Sequence, residues 1–119
     1  MKLYLNEMAE SAYNNSTAKG FWDAYPPGPL SPDTVACKLA LIHSEVSEAL
    51  EDARDGKMVT TFSDKPGKER KPEGFPSELA DIIIRVGDLA GRMGIDLEFE
   101  VVTKMVYNAT RPTKHGKAI

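Results

Sequence analysis

Two stretches of this chain each set a pair of carboxylates three residues apart beside an apolar helical stripe. The first carries Glu45-x-x-Glu48 and the second Glu78-x-x-Asp81. Residues at that spacing share one face of a helix, where like charges repel, so neither helix gains locally from its pair. At ~100° per residue, with Ile42 at zero, Leu39, Val46, Ala49 and Leu50 fall on an arc of about −20° to 80°, and Glu45 and Glu48 at about −60° and −120°. With Ile82 at zero in the second stretch, Glu78 and Asp81 fall at about −40° and −100°. Each helix therefore carries its acids on the same flank of its stripe. If the stripes pack together, four carboxylates converge at the edge of a core. Acidic side chains taken singly are mostly solvated, but four gathered beside apolar surface need a cation. An all-oxygen donor set favours Mg²⁺, with Mn²⁺ as a possible substitute, over zinc. A di-iron bundle would need Glu-x-x-His pairs, and neither motif contains histidine. His43 reads as a partly buried packing residue, and His115 sits in the tail.

The rest of the chain supplies helices to hold those two. Its 119 residues fit a single domain, 1–119. Leu5, Met8, Ala9, Ala12 and Tyr13 recur at helical spacing over residues 4–19, with Gly20 as a stop. The run Pro26-Pro27-Gly28-Pro29 is a stiff connection. Ser31 caps the second helix with Pro32 in its first turn, and Gly56 ends it. Residues 57–73 are rich in Lys, Pro and Gly. Met58–Phe62 reads as a short strand, and the remainder as a mobile loop of the kind that often forms a lid. Pro76 starts the third helix, with a stripe of Leu79, Ile82, Ile83, Val86, Leu89 and Met93, and Gly94 closes it. Asp96 caps a fourth helix that stops before Pro112. The reading is all-α and bundle-like, with a long loop between helices two and three. Phe99, Val102, Met105 and Val106 add more apolar surface than one thin bundle hides. A dimer or a dimer of dimers is therefore expected.

The formal net charge of −3 argues against nucleic acid as a partner, because neutralising a run of phosphates calls for a basic surplus. A small anion bridged by metal remains compatible. No apolar run approaches the ~18 residues of a membrane span, the first residues turn polar too soon for a signal peptide, and the single Cys37 forms no intrachain disulfide. The expectation is a cytoplasmic protein without membrane or nucleic-acid partners, its Cys37 a small buried or half-buried helix residue. Lys104, Asn108 and Arg111, at i, i+4 and i+7, line one face of the fourth helix, either as a solvated face or as an anion contact. Lys38 and Arg85 flank the acids, where they could contact phosphate or form salt bridges. Phe21 and Trp22 offer either base stacking or core packing.

Glu-x-x-Glu followed on a later helix by Glu-x-x-Asp resembles the metal motif of the all-α NTP pyrophosphohydrolase superfamily, and MazG-like members in particular. The similar stretches are Lys38–Glu51, Gly74–Val86 and Tyr107–Pro112, together with Lys19-Gly20-Phe21-Trp22. Twenty-nine residues separate Glu48 from Glu78, a long spacing whose excess lies in loop 57–73. The resemblance implies a MazG fold and Mg²⁺ on Glu45, Glu48, Glu78 and Asp81. It implies hydrolysis of an NTP or dNTP to the monophosphate and pyrophosphate, with Glu48 or Glu45 helping to take the proton of the attacking water. It also implies phosphate binding by Lys104, Asn108 and Arg111, and Lys38 and Trp22 join them as candidate substrate contacts. Phosphoribosyl-ATP pyrophosphatase and a non-catalytic helical binding protein of the same fold are the alternatives.

Overall fold

The computed structural model describes residues 1–64, 66–67 and 69–119. The chain is mostly helical: α1 spans Leu5–Ala18, α2 Pro32–Arg54, α3 Phe75–Met93 and α4 Leu97–Ala109. Side-chain chemistry sets the helix ends. Ser31 Oγ accepts from the Thr34 N–H at 3.1 Å at the start of α2, satisfying a donor that the helix cannot pair. Asp96 does the same for the Phe99 N–H of α4, at 3.1 Å. Gly94 takes the left-handed conformation that closes α3. After α4, Thr113–Gly116 form a short 3₁₀ turn in an exposed tail.

The start of α3 lies at Phe75, one residue before the expected Pro76. Gly74 precedes it with φ 112°, and a Cβ there would collide with the Val59 carbonyl oxygen. The Phe75 N–H donates to the Lys57 carbonyl at 2.9 Å. The segment read as loop is thereby stitched to the base of the helix that carries Glu78.

Within that segment, Thr61–Ser63 (β1) pairs antiparallel with Lys71–Glu73 (β2), Thr61 opposite Glu73 and Ser63 opposite Lys71. The expected strand at 58–62 is displaced toward 61–63, and it has a partner the sequence hid. Pro72 disguises β2, because proline is tolerated in a strand at an edge, and both strands of a two-stranded sheet are edges. Lys65 and Lys68, part of the expected mobile lid, lie outside the described residues.

α3 packs against both α1 and α2, while α4 leans on α1. The α1–α3 contact is made of small residues. Ala9 and Ala90 are buried, and a Cβ on Gly91 would stand 2.7 Å from Tyr13 Cβ and 2.9 Å from the Ala9 carbonyl oxygen. The starts of α1 and α4 are clasped together: Asn6 Nδ2 donates to Asp96 Oδ1 at 2.8 Å, the Glu98 N–H to Asn6 Oδ1 at 3.0 Å, and the Leu5 N–H to Glu98 Oε1 at 3.0 Å. The Asn6 amide first, and the Phe99 N–H second, hold the Asp96 carboxyl below its ordinary range by donating to it.

The large apolar stripes of α2 and α3 do not close over each other within the chain. Ala49 is buried and Ile42 and Ile82 are half-buried, but Leu39, Val46, Leu50, Leu79, Ile83 and Val86 remain exposed. Cys37 and His43 are exposed too, which corrects the expectation that each is at least partly covered. No described helix is long and apolar enough to cross a membrane.

Candidate metal centre

α2 and α3 run side by side with their acids on the shared flank. One oxygen from each of Glu45, Glu78 and Asp81 lies within 4.8 Å of the others. This is three of the four carboxylates that the sequence singled out. Glu48 stands outside that group on an exposed position, yet its charge still reaches Glu78. The Glu78 carboxyl is raised above its ordinary 4.5, first by burial, then by Asp81, Asp52, Glu45 and Glu48. Both burial and like charge disfavour the ionised form. Asp52 is an addition to the candidate set. Its signal was its position four residues after Glu48 and seven after Glu45, which continues the same face of α2.

The donor set contains carboxylate oxygen and neither imidazole nor thiolate, so it fits a hard divalent cation such as Mg²⁺. One cation already touches the group. Arg85 Nε donates to Glu45 Oε1 at 2.8 Å. Arg85 is four residues beyond Asp81, on the same face of α3, so the salt-bridge alternative open in the sequence is the arrangement found.

Beside the acids lies a cavity of about 510 Å³ whose walls include Glu45, Asp81 and Arg85, a size typical of small-molecule sites. Its lining is also aromatic and polar, with Phe21, Trp22, Lys38, Asp88 and Asn15 contributing. Trp22 is 6% exposed, and its indole Nε1 donates to Asp88 Oδ1 at 2.8 Å. The Lys38 ammonium lies 4.3 Å from the Trp22 ring centroid and 5.0 Å from that of Tyr25. Trp22 is therefore a packed wall held in orientation, and the exposed ring at the mouth is Phe21, at 67%. Arg92 also packs against Trp22, its Cζ 5.4 Å from the ring centroid. Its guanidinium donates to the carbonyls of Pro26 and Gly28, each at 3.0 Å. Asp88 went unread in the sequence, although Asp81, Arg85 and Asp88 follow the i, i+4, i+7 spacing of one helix face.

The cationic stripe of α4 is elsewhere. Asn108 and Arg111 are half-buried and Lys104 is exposed. Lys104 Nζ and Arg111 Cζ lie 5.9 and 5.8 Å from the Tyr107 ring centroid. None of the three lines the cavity, whose walls come from α1, α2, α3 and the segment after α1. No family model matches the chain, and neither a curated protein nor a solved structure matches it.

Proposed function

We propose that the chain is a Mg²⁺-dependent nucleoside triphosphate pyrophosphohydrolase of the MazG-like kind. The observation that carries this reading is the gathering of Glu45, Glu78 and Asp81 on two helices, with Glu45 and Asp81 also lining a cavity that has an aromatic wall. The acids would suit a metal–phosphate group, and the aromatic lining a base and sugar. Glu45, Glu78 and Asp81 would hold Mg²⁺. Bound there, such an ion would supply charge neutralisation for the triphosphate and make the attacking water more acidic.

The chain's own residues then divide the remaining work. Glu48 stands outside the three-acid group and makes no ion pair among the described residues, whereas Glu45 belongs to that group. Of the two candidate bases Glu48 is therefore the one available to take a proton. It accepts the proton of the water whose oxygen attacks the α-phosphorus. The bond between that phosphorus and its bridging oxygen breaks, and pyrophosphate leaves. Phe21 offers its exposed ring to the base, while Trp22 and Lys38 form the wall behind it. Lys104, Asn108 and Arg111 would reach the phosphates from a second copy of the chain, since they do not line the cavity of their own.

The experiment is a time course of Mg²⁺-dependent product formation from a panel of NTPs, dNTPs and modified nucleotides. Monophosphate and pyrophosphate should rise together with no diphosphate accumulating. Diphosphate and orthophosphate appearing first would sink the mechanism.

A further inference from the structure

We propose that Arg85 is the resident counter-cation of the metal site. In this reading it neutralises Glu45 while the site is empty and is displaced into the adjoining cavity when a divalent ion arrives. The inference rests on the metal reading above and adds the residue that sets how readily the metal enters.

Four observations carry it. Arg85 and Glu45 come from different helices and meet at 2.8 Å. The contact uses Nε alone, a single bond rather than the two-point fork by which a guanidinium binds carboxylate most strongly. The Glu45 side chain is 16% exposed and that of Arg85 41%, so the acid is held in place while the arginine has room to swing. Finally, Arg85 lines both the acid cluster and the cavity beside it, so a displaced guanidinium moves within one site rather than out of it.

The physics favours exchange over sharing. Without metal, Glu45, Glu78 and Asp81 crowd one another within 4.8 Å, and Arg85 is the cation bonded within the group among the described residues. A divalent ion brings twice the charge and binds carboxylate oxygen at about 2.0–2.1 Å, closer than the guanidinium can come. Once it is there, Arg85 and the metal repel each other. Glu45 cannot satisfy both at full strength, and the one-point contact is the weaker. The released guanidinium then faces the cavity as a free anion-binding group, on the side where the substrate phosphates would lie. Metal loading thereby arms the pocket for an anion.

Arg85 consequently holds metal affinity down, which gives the test its sign. Arg85→Met should bind Mn²⁺ more tightly than the parent by roughly tenfold, the scale of repulsion between a single and a double charge about 5 Å apart in water-like surroundings. Arg85→Lys, which keeps the charge and loses the Nε donor, should fall between them. In chelator Arg85→Met should melt below the parent, and its gain on adding Mg²⁺ should be the larger. The measurement is Mn²⁺ titration by paramagnetic resonance of the free ion, with melting curves alongside. A second readout needs only the parent protein. The Arg85 Nε–H signal in a proton–nitrogen spectrum, identified by its loss in Arg85→Lys, should shift as Mg²⁺ is added and saturate at the same concentration as the thermal stabilisation. If Arg85→Met binds Mn²⁺ no better than the parent, or the Nε–H signal is unmoved by Mg²⁺ that stabilises the fold, Arg85 is only a surface salt-bridge partner and the inference fails alone. If the parent binds neither Mn²⁺ nor Mg²⁺, the metal reading fails and this inference falls with it.

Discussion

At Glu78, burial and the charges of Asp81, Asp52, Glu45 and Glu48 all favour the protonated carboxyl. The sign of the consequence follows by linkage. In the unfolded chain the group titrates near 4.5. Between that value and its raised folded value, the folded protein keeps a proton that the unfolded chain has lost. Metal-free stability therefore falls as pH climbs through this window, and the loss is complete above the folded value. Glu78→Gln should flatten that part of the melting-temperature profile in chelator. Glu48→Gln removes a second repelling charge, so it should melt no lower than the parent without metal, gain less from millimolar Mg²⁺, and lose nearly all activity. Melting curves with Mg²⁺ and with chelator, beside a pyrophosphate assay, check both variants. A parent indifferent to Mg²⁺ together with an active Glu48→Gln would leave these acids as ordinary surface charges. The acids themselves were legible because their spacing places them by angle on two helices. The role of Arg85 was half legible: its place on the acid flank could be read, but which of four carboxylates it meets depends on how α2 and α3 pack.

The helices stand where capping chemistry puts them, and Ser31, Asp96 and Gly94 could be read directly. The seam between α1 and α3 could not. Glycine inside a helix costs stability against alanine, so Gly87 and Gly91 look like weaknesses in the sequence, and the eye goes to Leu79, Ile83 and Val86 instead. In the fold these glycines let two backbones approach. The two positions should respond differently to alanine. A Cβ at Gly91 meets the Ala9 carbonyl oxygen at 2.9 Å and Tyr13 Cβ at 2.7 Å, neither of which can move without shifting α1. At Gly87 the two nearest atoms are Met8 Sδ at 2.7 Å and Cε at 3.0 Å, the end of a flexible side chain, and the α1 backbone comes next with Ala9 Cα at 3.3 Å. Gly91→Ala gains about 1 kcal/mol of helix propensity and loses about 1–3 kcal/mol to overpacking, so it should be destabilising on balance. Gly87→Ala should lie closer to neutral. Denaturant unfolding of the two variants under identical conditions decides it, and equal stability of both would show that α1 is not held against α3 by close backbone approach. β2 was hidden for a related reason, since Pro72 suppresses the strand signal that only its pairing with Phe62 reveals.

A folded monomer of 13.1 kDa is expected to expose roughly 6,400 Å², whereas this chain exposes 8919 Å². Its radius of gyration of 17.0 Å likewise exceeds the roughly 13.5 Å expected of a compact domain of this length. The excess area is roughly 2,500 Å² per chain, the scale of an obligate interface rather than of a passing contact. Its chemistry agrees. Leu39, Val46 and Leu50 recur along α2 at i, i+7 and i+11, and Leu79, Ile83 and Val86 along α3 at i, i+4 and i+7, all exposed and all in helical register. Leu50 is 57% exposed, Ile83 53% and Val106 63%, values that a lone soluble bundle has no reason to tolerate in aligned rows. We expect a dimer or a dimer of dimers in which these rows pack on their counterparts. Light scattering should report no stable monomer at micromolar concentration. Ile83→Asp places an unpaired charge in the row and should dissociate the assembly while α1, α2 and α3 still pack. The same assembly would carry Lys104, Asn108 and Arg111 to a neighbour's cavity, which complementation can test. Glu48→Gln and Arg111→Ala, each nearly inactive alone, should recover activity when co-refolded, because some mixed sites then hold an intact acid set from one chain and an intact cationic stripe from the other. Recovery requires that the stripe act across the interface. A monomer in solution would overturn the assembly, and a dimer without recovery would overturn only the shared site.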